Sequence, residues 1–241
     1  MVRILILIAV LAGSVFARPG EERDVAIPES AAELIPAKFV LFEVIRGDLN
    51  KDGEEDLVLI IKGTDRRRFV KDEYRGERLD RNRRGIVIAF KNGDTYERVM
   101  ENRTCFSSEQ EDGGIYFPPA LCVYIKNGNL FLHYAAGRYG YETYNFRYQN
   151  SDFELIGYDN TSQSGPTFRN GVSLNFMTKK MLTKENINIS GDDEIIKESW
   201  QNFTIKKLIQ LRKVADFDEL NPLEIINKQD PAAEDKNNLN R

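Results

Sequence analysis

The chain has 241 residues, with 34 Lys and Arg, 38 Asp and Glu and one His, for a formal charge of −4. That length suits one domain, or at most two small ones, with core enough to fold without leaning on disulfides or metals. Apolar residues at 41% with 10% aromatics exclude wholesale disorder, and the mild acidity argues against generic nucleic-acid binding, which needs a basic face.

Residues 1–17 read as a secretion signal. Arg3 gives a positive start, residues 4–11 an apolar run too short to span a bilayer, and Val15 and Ala17 the −3 and −1 positions of a peptidase site. The mature chain is expected to begin at Arg18, with a cut after Ser14 as the second choice. No later segment reads as a transmembrane span. An exported protein, periplasmic or secreted, follows.

The mature chain, residues 18–227, reads as one β-rich domain. Ser30 and Glu33 have the spacing of a capping box, opening a short helix that Pro36 stops. Residues 38–45 (KFVLFEVI) and 56–62 (DLVLIIK) predict strands. The second is apolar at successive positions, which predicts a central strand buried on both faces. Residues 65–84 hold nine basic and five acidic side chains and predict a long charged connection, partly helical, that reads as a solvated loop; a basic lip toward an anionic partner is the alternative, diluted by Asp72, Glu73, Glu77 and Asp80. Asn92-Gly93 then predicts a type I′ hairpin. Lys126-Asn-Gly-Asn129 repeats it, and Gln149-Asn-Ser-Asp152 marks a third. Residues 171–177 predict another strand, and 203–214 fit either a strand or a helix. From residue 228 to 241 the polar tail predicts disorder.

Nine or ten strands joined mainly by short turns predict a mainly β, single-domain antiparallel meander with a short N-terminal helix: a twisted sheet, sandwich or partial barrel. No repeat recurs at a fixed period, and the strand count is too low for a propeller.

The two cysteines, Cys105 and Cys122, in an exported chain predict one disulfide closing a loop of about seventeen residues; two buried free thiols are the alternative. Two Cys and one His are too few ligands for zinc.

Asp48, Asn50, Asp52, Gly53, Glu54 and Asp56 follow the pattern D-x-N-x-D-G-x-x-D. Calcium takes six to eight oxygens. Asp48, Asn50 and Asp52 would offer side-chain oxygens from alternating positions, Gly53 the sharp turn, Glu54 its backbone carbonyl, and Asp56 an oxygen directly or through water. A helical EF-hand wants a bidentate Glu at the twelfth position, where Leu59 stands. Strand-like flanks therefore predict a Ca2+ loop at 48–56 inside a β-hairpin.

The segment GDLNKDGEEDLVLII resembles the calcium-binding segment of FG-GAP/VCBS-type repeats, as in integrin α chains and exported bacterial proteins. The resemblance covers residues 34–62. It implies Asp48, Asn50, Asp52, Glu54 through its backbone, and Asp56 as the calcium ligands. In that family such loops lie between strands of propeller blades; here the motif occurs in one copy.

Catalytic patterns are sparse. His133, the single histidine, sits within LFLHYAA with no nucleophile motif beside it, and reads as a hydrogen-bonded strand residue. There is no P-loop or dinucleotide fingerprint. Arg138, Tyr139, Tyr141 and Tyr144 form a dense Tyr/Arg stretch suited to a protein or sugar surface, though Tyr alternation also serves sheet packing. These residues predict an exported, noncatalytic, calcium-stabilised protein that binds a protein or glycan. The alternative is an exported hydrolase using Asp/Glu carboxylates, with calcium as a structural ion.

Overall fold

The computed structural model describes residues 26–73, 76–110, 120–189 and 193–228. The expected signal at 1–17 and the tail from 229 onward lie outside the described residues.

A four-stranded antiparallel sheet is made of β1 (Phe39–Gly47), β2 (Asp56–Gly63), and, after an excursion in the chain, β5 and β6. The excursion is the charged segment. It was expected as a loop, but it folds into a 3-10 turn, Arg66–Arg68, and a small hairpin of β3 (Phe69–Lys71) and β4 (Arg78–Asp80). Three local supports replace a hydrophobic face here. Asp65 caps the 3-10 turn, Arg78 lies 4.3 Å over the Phe69 ring, and Lys62 on β2 pairs with Asp80 at 2.9 Å. The chain then forms β5 (Arg84–Asn92) and β6 (Thr95–Phe106).

Eight strands make the second sheet: β7 (Ala120–Lys126), β8 (Asn129–Ala135), β9 (Gly140–Gln149), β10 (Asp152–Ser164), β11 (Thr167–Asn175), β12 (Lys180–Asn186), β13 (Ile196–Thr204) and the two-residue β14 (Asn227–Lys228), each antiparallel to the last. Lys228, expected in the tail, is thus paired with Phe203. Among the described residues no helix is long and apolar enough to cross a membrane.

The turns follow their chemistry. Asn127 and Gly128 both have positive φ (54° and 71°), as do Asn150 and Ser151 (54° and 58°), which is the type I′ requirement. The first hairpin departs from expectation. Asn92 pairs with Thr95, so the turn residues are Gly93 and Asp94, and Gly93 carries the positive φ.

Strand alternation builds three layers. On β2 and β5, Val58, Ile60, Ile86 and Ile88 face the large sheet, while Leu57, Leu59, Ile61, Val87 and Ala89 face the opposite way. That second face is covered by Ala31 and Leu34 of the N-terminal 3-10 helix, Glu29–Leu34. The short helix is therefore present, but the capping box is not: Pro28 is the N-cap and makes no side-chain bond. Central burial of β2 on both faces matches its unbroken apolar run.

The two sheets share a core in which Leu130, Leu132, Tyr144, Phe146, Phe153 and Leu155 meet the first sheet. Of the stretch 203–214, which fits either a strand or a helix in sequence, residues 203–204 end β13; residues 205–226 follow as an irregular segment with a 3-10 turn, Leu211–Lys213, that runs between the sheets. Its backbone is tied to both: Phe217 N donates to the Cys105 carbonyl (3.0 Å), Leu155 N to the Ile209 carbonyl (2.9 Å), and Asn102 Nδ2 to the Leu211 and Val214 carbonyls (3.0 and 2.7 Å). Phe217 is the hub, with its ring 5.0 Å from Tyr144, 5.3 Å from Phe106 and 6.2 Å from both Tyr134 and Phe146.

Phe217→Ala should cost about 3–5 kcal/mol of unfolding free energy, because the cavity it opens is walled by rings from both sheets. The exposed Trp200→Ala (63% exposed) should cost about 0.5 kcal/mol or less. Urea unfolding of both variants checks this; equal midpoints would show that residues 205–226 do not knit the sheets.

Candidate metal loop and outer sheet face

Gly47 and Asp56 are paired across β1 and β2, so residues 48–55 form a hairpin tip between strands, as the motif predicted. Leu49 is buried in the core and pins the tip down. Positive φ at Lys51 (67°) and Gly53 (89°) curls the chain, and the side chains hydrogen-bond inward along the curl. Asp48 accepts from the backbone N–H of Lys51 (2.6 Å) and of Gly53 (3.0 Å). Asn50 Oδ1 accepts from Asp52 N (3.0 Å), and its Nδ2 donates to Asp52 Oδ2 (2.7 Å). The Glu54 N–H donates to Asp52 Oδ1 (2.8 Å); that bond, then Asn50, holds the Asp52 carboxyl below its ordinary range.

Asp56 plays a different part. It is fully buried, accepting from Leu49 N (2.7 Å) and from Lys91 N on β5 (3.1 Å). Burial pushes its carboxyl up, against these donors. It is a latch between the tip and the neighbouring strand. Glu54 turns its side chain to Lys91 Nζ at 2.6 Å. On the other side Lys51 lies over the β7–β8 turn, where a Cβ on Gly128 would come 2.7 Å from Lys51 Cε.

The tip therefore gathers Asp48, Asn50 and Asp52, with Asp56 beneath them and Glu54 directed away. Among the described residues no group of three or more His, Cys, Asp or Glu side chains is placed to hold a metal. The donor set is nonetheless all oxygen, the kind a hard cation takes, so Asp48, Asn50 and Asp52 fit calcium in chemistry.

The expected disulfide is absent: Cys105 and Cys122 are free thiols. Strand parity explains it. Cys105 lies on β6 inside the core between the sheets, and on β7 it is Val123 that joins that core. Cys122, one residue away, is carried on the opposite face of its strand. Burial pushes both thiols up; at Cys122 the Glu43 charge adds to it.

The same parity divides the tyrosine stretch. Tyr144 was expected at a surface, yet it is fully buried against Phe217 and Tyr158, with its hydroxyl donating to Glu142 (3.1 Å). Tyr141, three residues earlier, faces outward and is 38% exposed. Arg138 and Tyr139 lie in the exposed 3-10 turn Gly137–Tyr139, with the guanidinium 5.2 Å from its neighbour's ring.

Around Tyr141 the outer face of the large sheet collects aromatics that sequence reasoning missed. The Tyr124 and Phe131 rings stack at 5.0 Å, and His133 stands 5.3 Å from Tyr141. One row of paired residues across the sheet runs Cys122, His133, Thr143, Asp159, Ser173, Leu182, Trp200. Beside it lies a cleft of about 690 Å³ lined by Tyr141, Phe168, Leu182, Lys184 and Glu198 among others, with Lys184 and Glu198 paired at 2.7 Å. The signal available in sequence was the lone Trp in the polar alternation of residues 196–204, which was not read as a strand.

His133 hydrogen-bonds through Nδ1 to Thr143 Oγ1 (2.8 Å), as a strand histidine should. Burial lowers its pKa below 6.5, so the unfolded chain takes up the proton first. Its contribution is present above pH 6.5 and is lost as pH falls from there through the folded value. Wild type should therefore lose more urea resistance between pH 7.5 and 5.5 than His133→Gln does; identical losses would refute it.

Thiol titration should find two reactive groups in the denatured, unreduced protein, and Cys105 should be unreactive in the native state. Finding none in the denatured chain would restore the disulfide.

No family model, no curated protein and no solved structure matches the chain, so the FG-GAP/VCBS resemblance rests on the loop residues themselves.

Proposed function

We propose that the protein is an exported, noncatalytic binding protein whose β1–β2 hairpin is stabilised by calcium, and that it takes a glycan or protein segment on the outer face of the eight-stranded sheet. The observation that carries the binding reading is the exposed aromatic side chains of the outer face, where Tyr124 on β7, Tyr141 on β9 and Trp200 on β13 are 36%, 38% and 63% exposed. Tyr124 gains some stability from stacking on Phe131, but Trp200 has no ring partner among the described residues, and flat rings on a rigid sheet bind sugar faces or apolar side chains at small entropic cost.

Calcium, when bound, would neutralise the carboxylates of the tip. Asp48, Asn50 and Asp52 would hold it, Asp56 would keep its latch to Leu49 and Lys91, and Leu49 would keep the tip seated. The site is remote from the aromatic cleft in residue membership, so the ion's part is structural. The hydrolase reading draws less support: Glu142, the half-buried carboxylate inside the sheet, already accepts from Tyr144, Tyr158 and Asn160.

Extracellular calcium modules bind at about 10⁻⁴–10⁻³ M. At free calcium about tenfold above the dissociation constant, the wild type should gain about 1.4 kcal/mol, visible as a rise in Tm that chelator reverses. Asp48→Ala/Asp52→Ala should show no rise. A wild-type Tm indifferent to calcium, or an equal rise in the variant, removes calcium from the reading. For the aromatic face, Tyr141→Ala/Trp200→Ala should abolish retention on a glycan array while leaving Tm unchanged; undiminished retention would reject this face.

A further inference from the structure

The charged segment 65–84 contributes to a basic concavity at one end of the four-stranded sheet. A pocket of about 530 Å³ is lined by Lys38, Arg66, Arg67, Arg68 and Arg83, with Asp65 as its carboxylate. Three separate stretches of chain supply these cations: the residue before β1, the 3-10 turn after β2, and the residue before β5.

The frame beneath them is built. Asn82, 3% exposed, accepts from Asp65 N (2.8 Å) and donates to the Asp65 carbonyl (3.2 Å). The Lys38 carbonyl accepts from Thr64 N (3.1 Å), the Arg83 carbonyl from Gly63 N (3.1 Å), and the Arg68 carbonyl from Arg81 N (2.9 Å). The backbone that carries every cation is thereby locked to its neighbours.

Two of the cations are already engaged. Arg67 forks onto Asp65 through Nε and a terminal nitrogen (2.8–3.2 Å), which holds the Asp65 carboxyl down to about 2. Arg83 donates to the Thr104 carbonyl (2.8 Å) and pairs with Asp216 (2.7 Å). Lys38, Arg66 and Arg68 are exposed and none of the three is in a salt bridge with a described carboxylate, although Arg68 stands close enough to Asp65 to attract its charge. Five cations line the concavity against the single carboxylate of Asp65, so positive charge is in excess there and repels itself, in a protein that is acidic overall. An anion in the concavity removes that repulsion, and arginine forks match the paired oxygens of phosphate and sulfate.

We propose that this concavity binds a phosphate or sulfate group. Its volume falls in the range of small-molecule pockets, which suits an oxyanion carried on a sugar as an ester as well as the free ion. The site lies at the end of β1 opposite the acidic tip, roughly 27 Å away at strand rise, and it shares no residue with the aromatic face. It is independent of the function proposed above.

Titration calorimetry at low salt with inorganic phosphate, inorganic sulfate and a sulfated heparin-type oligosaccharide tests this. At least one probe should bind saturably, with affinity falling as salt rises. Arg66→Gln/Arg68→Gln should weaken that binding about tenfold or more, while Lys206→Gln/Lys207→Gln, the same charge loss on exposed residues elsewhere, should change it less than about twofold. Binding by the free ions identifies the ion as the ligand, and binding by the oligosaccharide alone identifies the ester; either supports the site. Absence of saturable binding by all three, or equal loss in both double variants, overturns it.

Discussion

Strand β2 has no solvent face, and covering both of its sides organises the molecule. Leu57 to Ile61 are all buried, and the matching run on β5 doubles the width of that apolar layer. One side is met by the large sheet. The other needs only Ala31 and Leu34 of a six-residue 3-10 helix, with partly buried Ile27, Phe39 and Leu41 around it. The four-stranded sheet is thus a middle layer, and its hairpin tips inherit their positions from it. Asp56, the first residue of β2, is buried because the strand is, and it spends its carboxylate on the Leu49 and Lys91 amides. The acidic tip is seated on that bond.

The large sheet poses the opposite problem, because four strands cannot cover eight. Residues 205–226 solve it. They carry Leu208, Leu211, Val214, Phe217, Leu220 and Leu223 into the uncovered part of the core, and they satisfy their backbone by borrowing Asn102 and the carbonyl of Cys105. Arg212 anchors the segment to the start of β10 by reaching the buried Asp152 at 2.7 Å. Such a segment needs no period of its own, since its partners are aromatic side chains rather than a ladder. This is why residues 203–214 fit a strand and a helix equally in sequence.

What could be read from the sequence was whatever depends on near neighbours. The unbroken run 57–61 gave away a two-face strand, and Asn127-Gly128 and Asn150-Ser151 gave away their turns. The D-x-N-x-D-G spacing marked a curled tip between strands. What could not be read depends on partners far along the chain. Strands β12 and β13 are polar because their outer face is wet and much of their inner face lies beyond the covering layer, so no apolar alternation advertised them. The 3-10 turn and hairpin in 65–84 rest on Asn82 and Lys62 contacts rather than on propensity. The disulfide expectation failed on parity: cysteine count says nothing about which face of a strand each thiol occupies.

Parity also bears on where function resides. In β9 the residues that face the core, Tyr144 and Phe146, are held by Phe217, and their hydroxyl and rings are fully engaged. The residues that face out, Tyr141 and Thr143, meet only the neighbouring rows. The inner face tolerates no change without loss of stability, whereas the outer face can vary freely in aromatic content at little cost to folding. Outer-face rings such as Tyr124 and Phe131, stacked at 5.0 Å, add to folding only through one another. At the Arg66–Arg68 end cations outnumber the one carboxylate, Asp65, that faces them, and Asn82 nevertheless fixes the backbone that holds them. The exposed rings belong to the eight-stranded sheet and the cations to the end of the four-stranded one.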